Sequence, residues 1–351
     1  MGLETTPSAL PKSWGGPVTR QSASVSQPSF PLTHPPVKTV NESVLKFLAD
    51  APLFFQPWWL EAVSPEAWDY VVVRRGEEVA AVLPYTFKMR LNRLRLIEMP
   101  RLTPYLGPWL RQSNAKYANR LGEEKDLMTE LIDALPPFAA FQQDFHPAIT
   151  NWLPFHWRGF RQTTRYTYRM DETKDLDALW SETRNNVRTD IKKAKKVVEV
   201  AETGDIEKFL ELHRLTFSRQ NKPVPHSEET LRRLDAACAE HGARKILIAT
   251  GSDGRPHAAV HLVTDSRAVY YLLSGSDAGL RNSGAISLVL WEGIRWASAQ
   301  GKQFDFEGSM LEPIERSFRS FGGRQVPYFG IEKCDSAMVK LYRAAWRWTH
   351  G

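Results

Sequence analysis

The order of the predicted elements is the feature that most narrows the possible folds, because it occurs twice. Between Tyr70 and Phe145, strand-like runs at 70–73, 78–87 and 93–99 precede a helical stretch near 114–134 and a further strand at 138–145. From Lys245 onward, runs at 245–250, 257–263 and 268–273 precede an amphipathic helix at 283–299 and a short strand at 303–307. β-Branched and aromatic residues alternate within these runs, and glycine-containing turns such as Ser252-Asp253-Gly254 separate them, the pattern of an antiparallel meander. Short helices at 44–48 and 56–63 lead into the first meander, and helices at 205–219 and 227–241 lead into the second. No strict sequence repeat accompanies the order, so a duplicated α+β unit is a structural expectation. Further strands are predicted at 163–171 and 325–333, and a closing helix at 337–348.

With 351 residues the chain is long enough for two ordinary domains. Residues 1–38 stand apart, with seven Pro, six Ser and Glu4 as the one acidic residue; such a stretch buries too little apolar surface to offset its conformational entropy and is expected to be a disordered tail. The predicted organisation is therefore a tail at 1–38, a first unit at 39–160 and a second at 161–351. Cys238 and Cys334 form neither a disulfide framework nor a zinc pair, which points to a reducing compartment. With no apolar run long enough to span a bilayer and no secretory leader, a cytoplasmic location is expected. The net charge of +6 suits an anionic ligand such as a phosphate-bearing donor, a nucleic acid or an acidic membrane surface, and equally a mildly basic surface without a partner.

Three stretches carry chemistry. In a long helix predicted over Asp175–Val197, Arg184, Arg188, Lys192 and Lys196 recur every four residues, while Val187, Ile191 and Ala194 form the opposite stripe. The basic row reads either as a phosphate-binding face or as a solvated helix surface. In the second stretch a loop ends Arg281-Asn282-Ser283-Gly284-Ala285-Ile286 and opens a helix, whose free N–H groups and dipole suit a pyrophosphate. In the third, Phe304-Asp305-Phe306-Glu307-Gly308, alternation sends both Phe to one face and both carboxylates to the other. Either carboxylate is a candidate to take the proton of an attacking ammonium, or Asp305 pairs with a neighbouring Arg or Lys.

In this order, Thr183-Arg184-Asn185-Asn186-Val187-Arg188, a strand–Gly–helix unit, Phe304–Gly308 and Ser317–Gly323 resemble the FemABX peptidyltransferases and related GNAT acyltransferases, with coverage from about Asn41 onward. The resemblance implies an α+β fold of two tandem GNAT-like (acyl-CoA N-acyltransferase) domains. It implies that Arg281, Ser283, Gly284 and Ala285 stand at the coenzyme A pyrophosphate loop, although Ile286 replaces the small residue of the family's pattern. Arg184, Arg188, Lys192 and Phe318 fall on the substrate side, with Arg184 and Arg188 near a diphosphate. Arg319 stands where the family has a lysine that steadies an oxyanion, a change that keeps the charge and alters its geometry. Asp305 and Glu307 complete the catalytic candidates. The implied reaction moves an acyl group, with acyl-CoA or acetyl-CoA as co-substrate and no metal, to an amine of a cell-envelope or metabolite acceptor. Aminoacyl-tRNA is the alternative donor, although the long coiled-coil insertion that some members use for tRNA is lacking. A non-catalytic module that binds nucleic acid or phospholipid on the same fold, with peripheral membrane association, is the alternative of another class.

Overall fold

The computed structural model describes residues 40–90, 94–171, 173–218 and 225–340. The segment expected to be a tail, and the closing helix beyond residue 340, lie outside the described residues. The first half runs α1 (Glu42–Leu48), a 3-10 turn (Leu53–Phe55), α2 (Pro57–Val63), β1 (Trp68–Arg75), β2 (Glu78–Arg90), β3 (Leu94–Glu98) and β4 (Trp109–Leu110). It continues with α3 (Tyr117–Asp133), β5 (Ala140–Asp144), α4 (Leu153–Trp157) and β6 (Arg161–Met170). The second half runs α5 (Leu176–Glu182), α6 (Asn185–Ala194), β7 (Val198–Thr203), α7 (Ile206–Ser218), α8 (Glu228–Glu240), β8 (Arg244–Gly251), β9 (Pro256–Thr264) and β10 (Ala268–Ser276). After α9 (Ala285–Ala299) come β11 (Gln303–Asp305), α10 (Glu312–Arg319) and β12 (Arg324–Cys334).

The strands join in one sheet of order β1-β2-β3-β5-β12-β6-β11-β10-β9-β8-β7, with β4 beside β2. Each half contributes a three-stranded meander, a helix, a strand parallel to the last meander strand, a short helix and a final strand. The parallel pairs are β3 with β5 and β10 with β11. The final strands are exchanged: β6 pairs with β11 of the second half, and β12 pairs with β5 of the first. The two tandem α+β units expected from the element order are thus one continuous sheet. Helices cover both faces. One core joins α1, α2 and the 3-10 turn to α7 and α8 across the halves; the opposite face has a core under α6 and α9 and another under α3 and α4.

Local chemistry explains most boundaries. The Asn41, Asp175 and Asp205 side chains accept backbone N–H groups at the starts of α1, α5 and α7. Ser227 occupies the cap position of α8 with an extended backbone but makes no side-chain cap bond. The single helix predicted over 175–197 is a larger correction. The chain breaks at Thr183-Arg184 into α5 and α6, and 198–203 form a strand. The buried Thr183 hydroxyl has two carbonyl acceptors in reach, Leu179 O at 2.9 Å and Phe321 O at 3.1 Å, and the Arg184 N–H bonds Ser320 O at 2.9 Å. These tertiary bonds replace those of a continuous helix. The break leaves Arg184 at the N-cap of α6 and Lys196 beyond its end, so Arg188 and Lys192 alone of the four basic residues lie within the helix. Val187, Ile191 and Ala194 are buried, as the apolar stripe required. Helix α10 was not anticipated.

Candidate active site

Strands β10 and β11 run parallel for three residue pairs, ending at Tyr270 opposite Asp305. Beyond that point β10 continues to Ser276, whereas Phe306 turns its N–H to Tyr168 O of β6 at 2.9 Å. The two strands therefore part at their carboxyl ends and leave a fork. β10 carries a register shift between Tyr271 and Leu273 at the mouth of that fork, the kind of irregularity that re-aims backbone groups beside a site. Ser274 beyond it accepts a 2.5 Å hydrogen bond from the Tyr271 hydroxyl through its side chain and meets His213 Nδ1 at 2.8 Å through its carbonyl.

Asp305 and Glu307 stand at the fork. Asp305 is 3% exposed. Its Oδ1 accepts the Thr167 hydroxyl at 2.6 Å and the Glu307 N–H at 2.8 Å, and the Tyr105 hydroxyl lies 3.4 Å from each oxygen. Burial pushes its carboxyl up to about 6, against the pull of these donors and of Arg169. Glu307 is half-buried, has a left-handed backbone (φ 58°), and has its Oε1 enclosed with no hydrogen-bond partner. Burial, then the charge of Asp305, holds its carboxyl well above the usual range. Left-handed backbone is uncommon away from glycine and concentrates at functional sites. Gly308 continues the turn at φ 65°, where a Cβ would lie 2.1 Å from Tyr166 O, so no other residue fits. Phe304 and Phe306 point away into the α9-side core, their rings 4.9 Å apart.

Several polar groups extend the site over the same face. Thr167 and Arg169 alternate along β6 beside Asp305, and Arg165 lies 3.6 Å from Asp144. His146 packs edge-on against Tyr105, and burial, then Arg169 and Arg267, pulls its imidazole down to about 3, which keeps it neutral. In the first half, the position corresponding to the fork is filled by the chain itself. Leu106 bridges Phe145 in parallel and donates its N–H to Asp144 O. The adjoining Tyr105 is the residue that reaches Asp305 across the halves.

The remaining sequence-derived candidates fall in two places. Arg281 and Ser283 form a 3-10 turn before α9, with Arg281 exposed and the Ser283 hydroxyl 3.3 Å from the Ala285 N–H. Gly284 has φ 77°, and a Cβ there would meet Asp190 O of α6 at 2.4 Å. Its glycine is thus required by packing against α6. The second group lies around α6 and α10, on the face opposite Asp305. Arg184 and Lys192 are exposed, and Arg188 is half-buried and donates to Trp180 O at 3.4 Å. Phe318 is buried, stacked 5.2 Å from Phe306 and edge-on to Tyr271. Arg319 pairs with Glu315 at 2.9 Å, and Glu315 also accepts the Tyr168 hydroxyl. Because Tyr168 and Thr167 point to opposite sheet faces, this network is separated from Asp305 by the sheet. Tyr105, Thr167, Arg169 and Tyr271 join the site without having been singled out in the sequence. Periodicity places Thr167 and Arg169 on one face of β6, but nothing local marks Tyr105.

Residues 181–310, from the end of α5 past the fork, match the family described as an acetyltransferase (GNAT) domain. No curated protein matches the chain. A crystal structure of FemX superposes with a TM-score of 0.62 at 14% identity, covering 83% of this chain and 96% of that one. The C-terminal domain of an Agrobacterium fabrum protein described as a lysylphosphatidylglycerol synthetase gives a TM-score of 0.51 at 11% identity, covering 87% and 94%. A conserved Bacteroides thetaiotaomicron protein of unknown function gives 0.51 at 14% identity, covering 79% and 87%. At these identities the likeness is one of fold. The matched GNAT acetyltransferase domain thus spans the fork, and the fold over most of the sheet is similar to that of FemX.

Proposed function

We propose that the protein is an N-acyltransferase that takes its acyl group from acyl-CoA and delivers it to an amine on a cell-envelope or metabolite acceptor. The fork carries this reading: it is open between β10 and β11 of the second half, directly at Glu307, whereas the first half fills its counterpart with Leu106. A thioester lying in the fork brings its carbonyl against the irregular stretch of β10, whose backbone N–H groups hold the developing oxyanion. The amine attacks the carbonyl carbon and the C–N bond forms. Glu307 takes the ammonium proton, the C–S bond breaks, and coenzyme A leaves as its thiolate. In its ionised form a carboxyl held well above its ordinary range is a stronger base than a solvated glutamate, and its partnerless oxygen can receive the proton. Arg281, Ser283, Gly284 and Ala285, at the N-terminal end of the 15-residue α9, fit the anionic end of the donor. Arg319 is assigned to steadying α10 through Glu315.

The first experiment is thermal unfolding with acetyl-CoA at about 100 times its dissociation constant, where one-site linkage gives about 2.7 kcal/mol of stabilisation. The wild type and Glu307→Gln should be stabilised alike, while thiol release with a panel of amines falls about 100-fold or more in the variant. Equal activity of the two proteins removes Glu307 as the base. The FemX-like fold and the exposed Arg184 and Lys192 favour aminoacyl-tRNA as a second donor. In that case acetyl-CoA and longer esters give no shift, and tRNA is retained by the wild type and lost in Arg184→Glu with Lys192→Glu. If neither donor binds, the fold serves as a binding module for nucleic acid or phospholipid.

A further inference from the structure

A cavity of about 390 Å³ opens between the ends of β2 and β3 and the start of α8, and none of the fork residues lines it. Phe87, Met99 and Pro100 supply apolar wall. The charged groups are Lys88, Glu98 and Arg101. Lys88 lies 3.7 Å from Glu98, so this pair largely cancels. Among the described residues, Arg101 donates to a carbonyl oxygen, that of Pro225, and no lining carboxylate is paired with it. His226 adds no charge: burial, then Arg101, pulls its imidazole down to about 4. Its Nδ1 is buried and lacks a hydrogen-bond partner. The cavity thus combines apolar wall, one guanidinium without a carboxylate partner among the described lining residues, and one orphaned ring nitrogen.

We infer that this cavity binds an amphiphilic anion, a compact apolar body ending in a carboxylate or a phosphate, with the anionic end at Arg101. A guanidinium donates two parallel hydrogen bonds to either group. The volume lies within the range of small-molecule sites. Binding here bridges the two halves of the molecule, because β2 and β3 belong to the first and α8 to the second.

The test uses the full chain labelled with ¹³C at its methionine methyls, with the Met99 signal assigned by Met99→Leu. The probes are octanoate, octyl phosphate and, as the uncharged control, octanol. The expected result is a saturable shift of the Met99 signal with one or both anions. Arg101→Ala should weaken that binding by about tenfold or more, and Arg101→Lys should restore part of it. A response to octanoate alone assigns a carboxylate ligand, and a response to octyl phosphate alone assigns a phosphate. No Met99 shift with either anion overturns the inference, as does octanol binding equally well or Arg101→Ala leaving the affinity unchanged in a protein that melts normally. The readout involves neither acyl donor nor turnover, so its failure is separate from a failure of the acyltransferase reading.

Discussion

At Asp305 and Glu307, two carboxylates separated by one residue have different surroundings. Asp305 accepts a hydroxyl and a backbone N–H and is closed off by Tyr105, so it anchors the turn. Glu307, held left-handed by that turn, keeps an enclosed oxygen with no partner. The folded state holds the Asp305 proton up to about pH 6, against 3.8 for a free side chain, so it binds more protons than the unfolded chain between those values. Stability from this group is therefore greatest below pH 4 and falls as pH rises through 6. Relative to Asp305→Asn, the wild type should lose up to about 3 kcal/mol between pH 4 and pH 7, read from urea unfolding at each pH. A difference that stays constant with pH removes the burial assigned to this carboxyl. Glu307→Gln, argued above, separates the chemical role from the anchoring one, because it leaves the Asp305 contacts in place.

The elements are positioned by close backbone approaches. Gly308 lets the chain leaving β11 pass β6 with room for a hydrogen atom and nothing larger. Gly308→Ala is expected to cost about 3 kcal/mol, seen as a lower melting temperature, since the obstructing atoms are backbone and cannot swing aside. A cost under about 1 kcal/mol would mean that β6 gives way easily. The α5–α6 break works by a different device. Thr183 and Arg184 spend their hydrogen bonds on the Ser320–Phe321 loop, which seats α10 against the sheet. The two sequence segments that carried the resemblance, Thr183–Arg188 and Ser317–Gly323, thus meet in space, and their contact is made by backbone and the Thr183 hydroxyl.

On the scale of the whole molecule, the exchange of β6 and β12 makes the halves interdependent. A cut between residues 160 and 161 would strip β12 from β5 and expose long unpaired edges on both pieces. The core shared by α1, α2, α7 and α8 would be divided as well. Residues 39–160 and 161–351 expressed separately are therefore expected to lack dispersed amide spectra. The intact chain should unfold in one calorimetric transition, and two resolved transitions would count against this coupling. Much of the architecture was legible in the sequence, because alternation and 3.6-residue periodicity are written by burial of one face. The twin meanders, α9 and the opposed faces of Phe304 and Asp305 were all read that way. The break at Thr183 was not legible, since helix propensity is local and its competitor, the loop at Ser320, lies more than a hundred residues away. The site divides along the same line. Sequence alone determined the carboxylate pair and the glycine that follows it, whose spacing is fixed by covalent geometry. Tertiary structure alone decided that Tyr105 closes over Asp305, that Arg319 lies across the sheet from it, and that one fork is filled while the other is open. Each of these depends on which distant strands become neighbours.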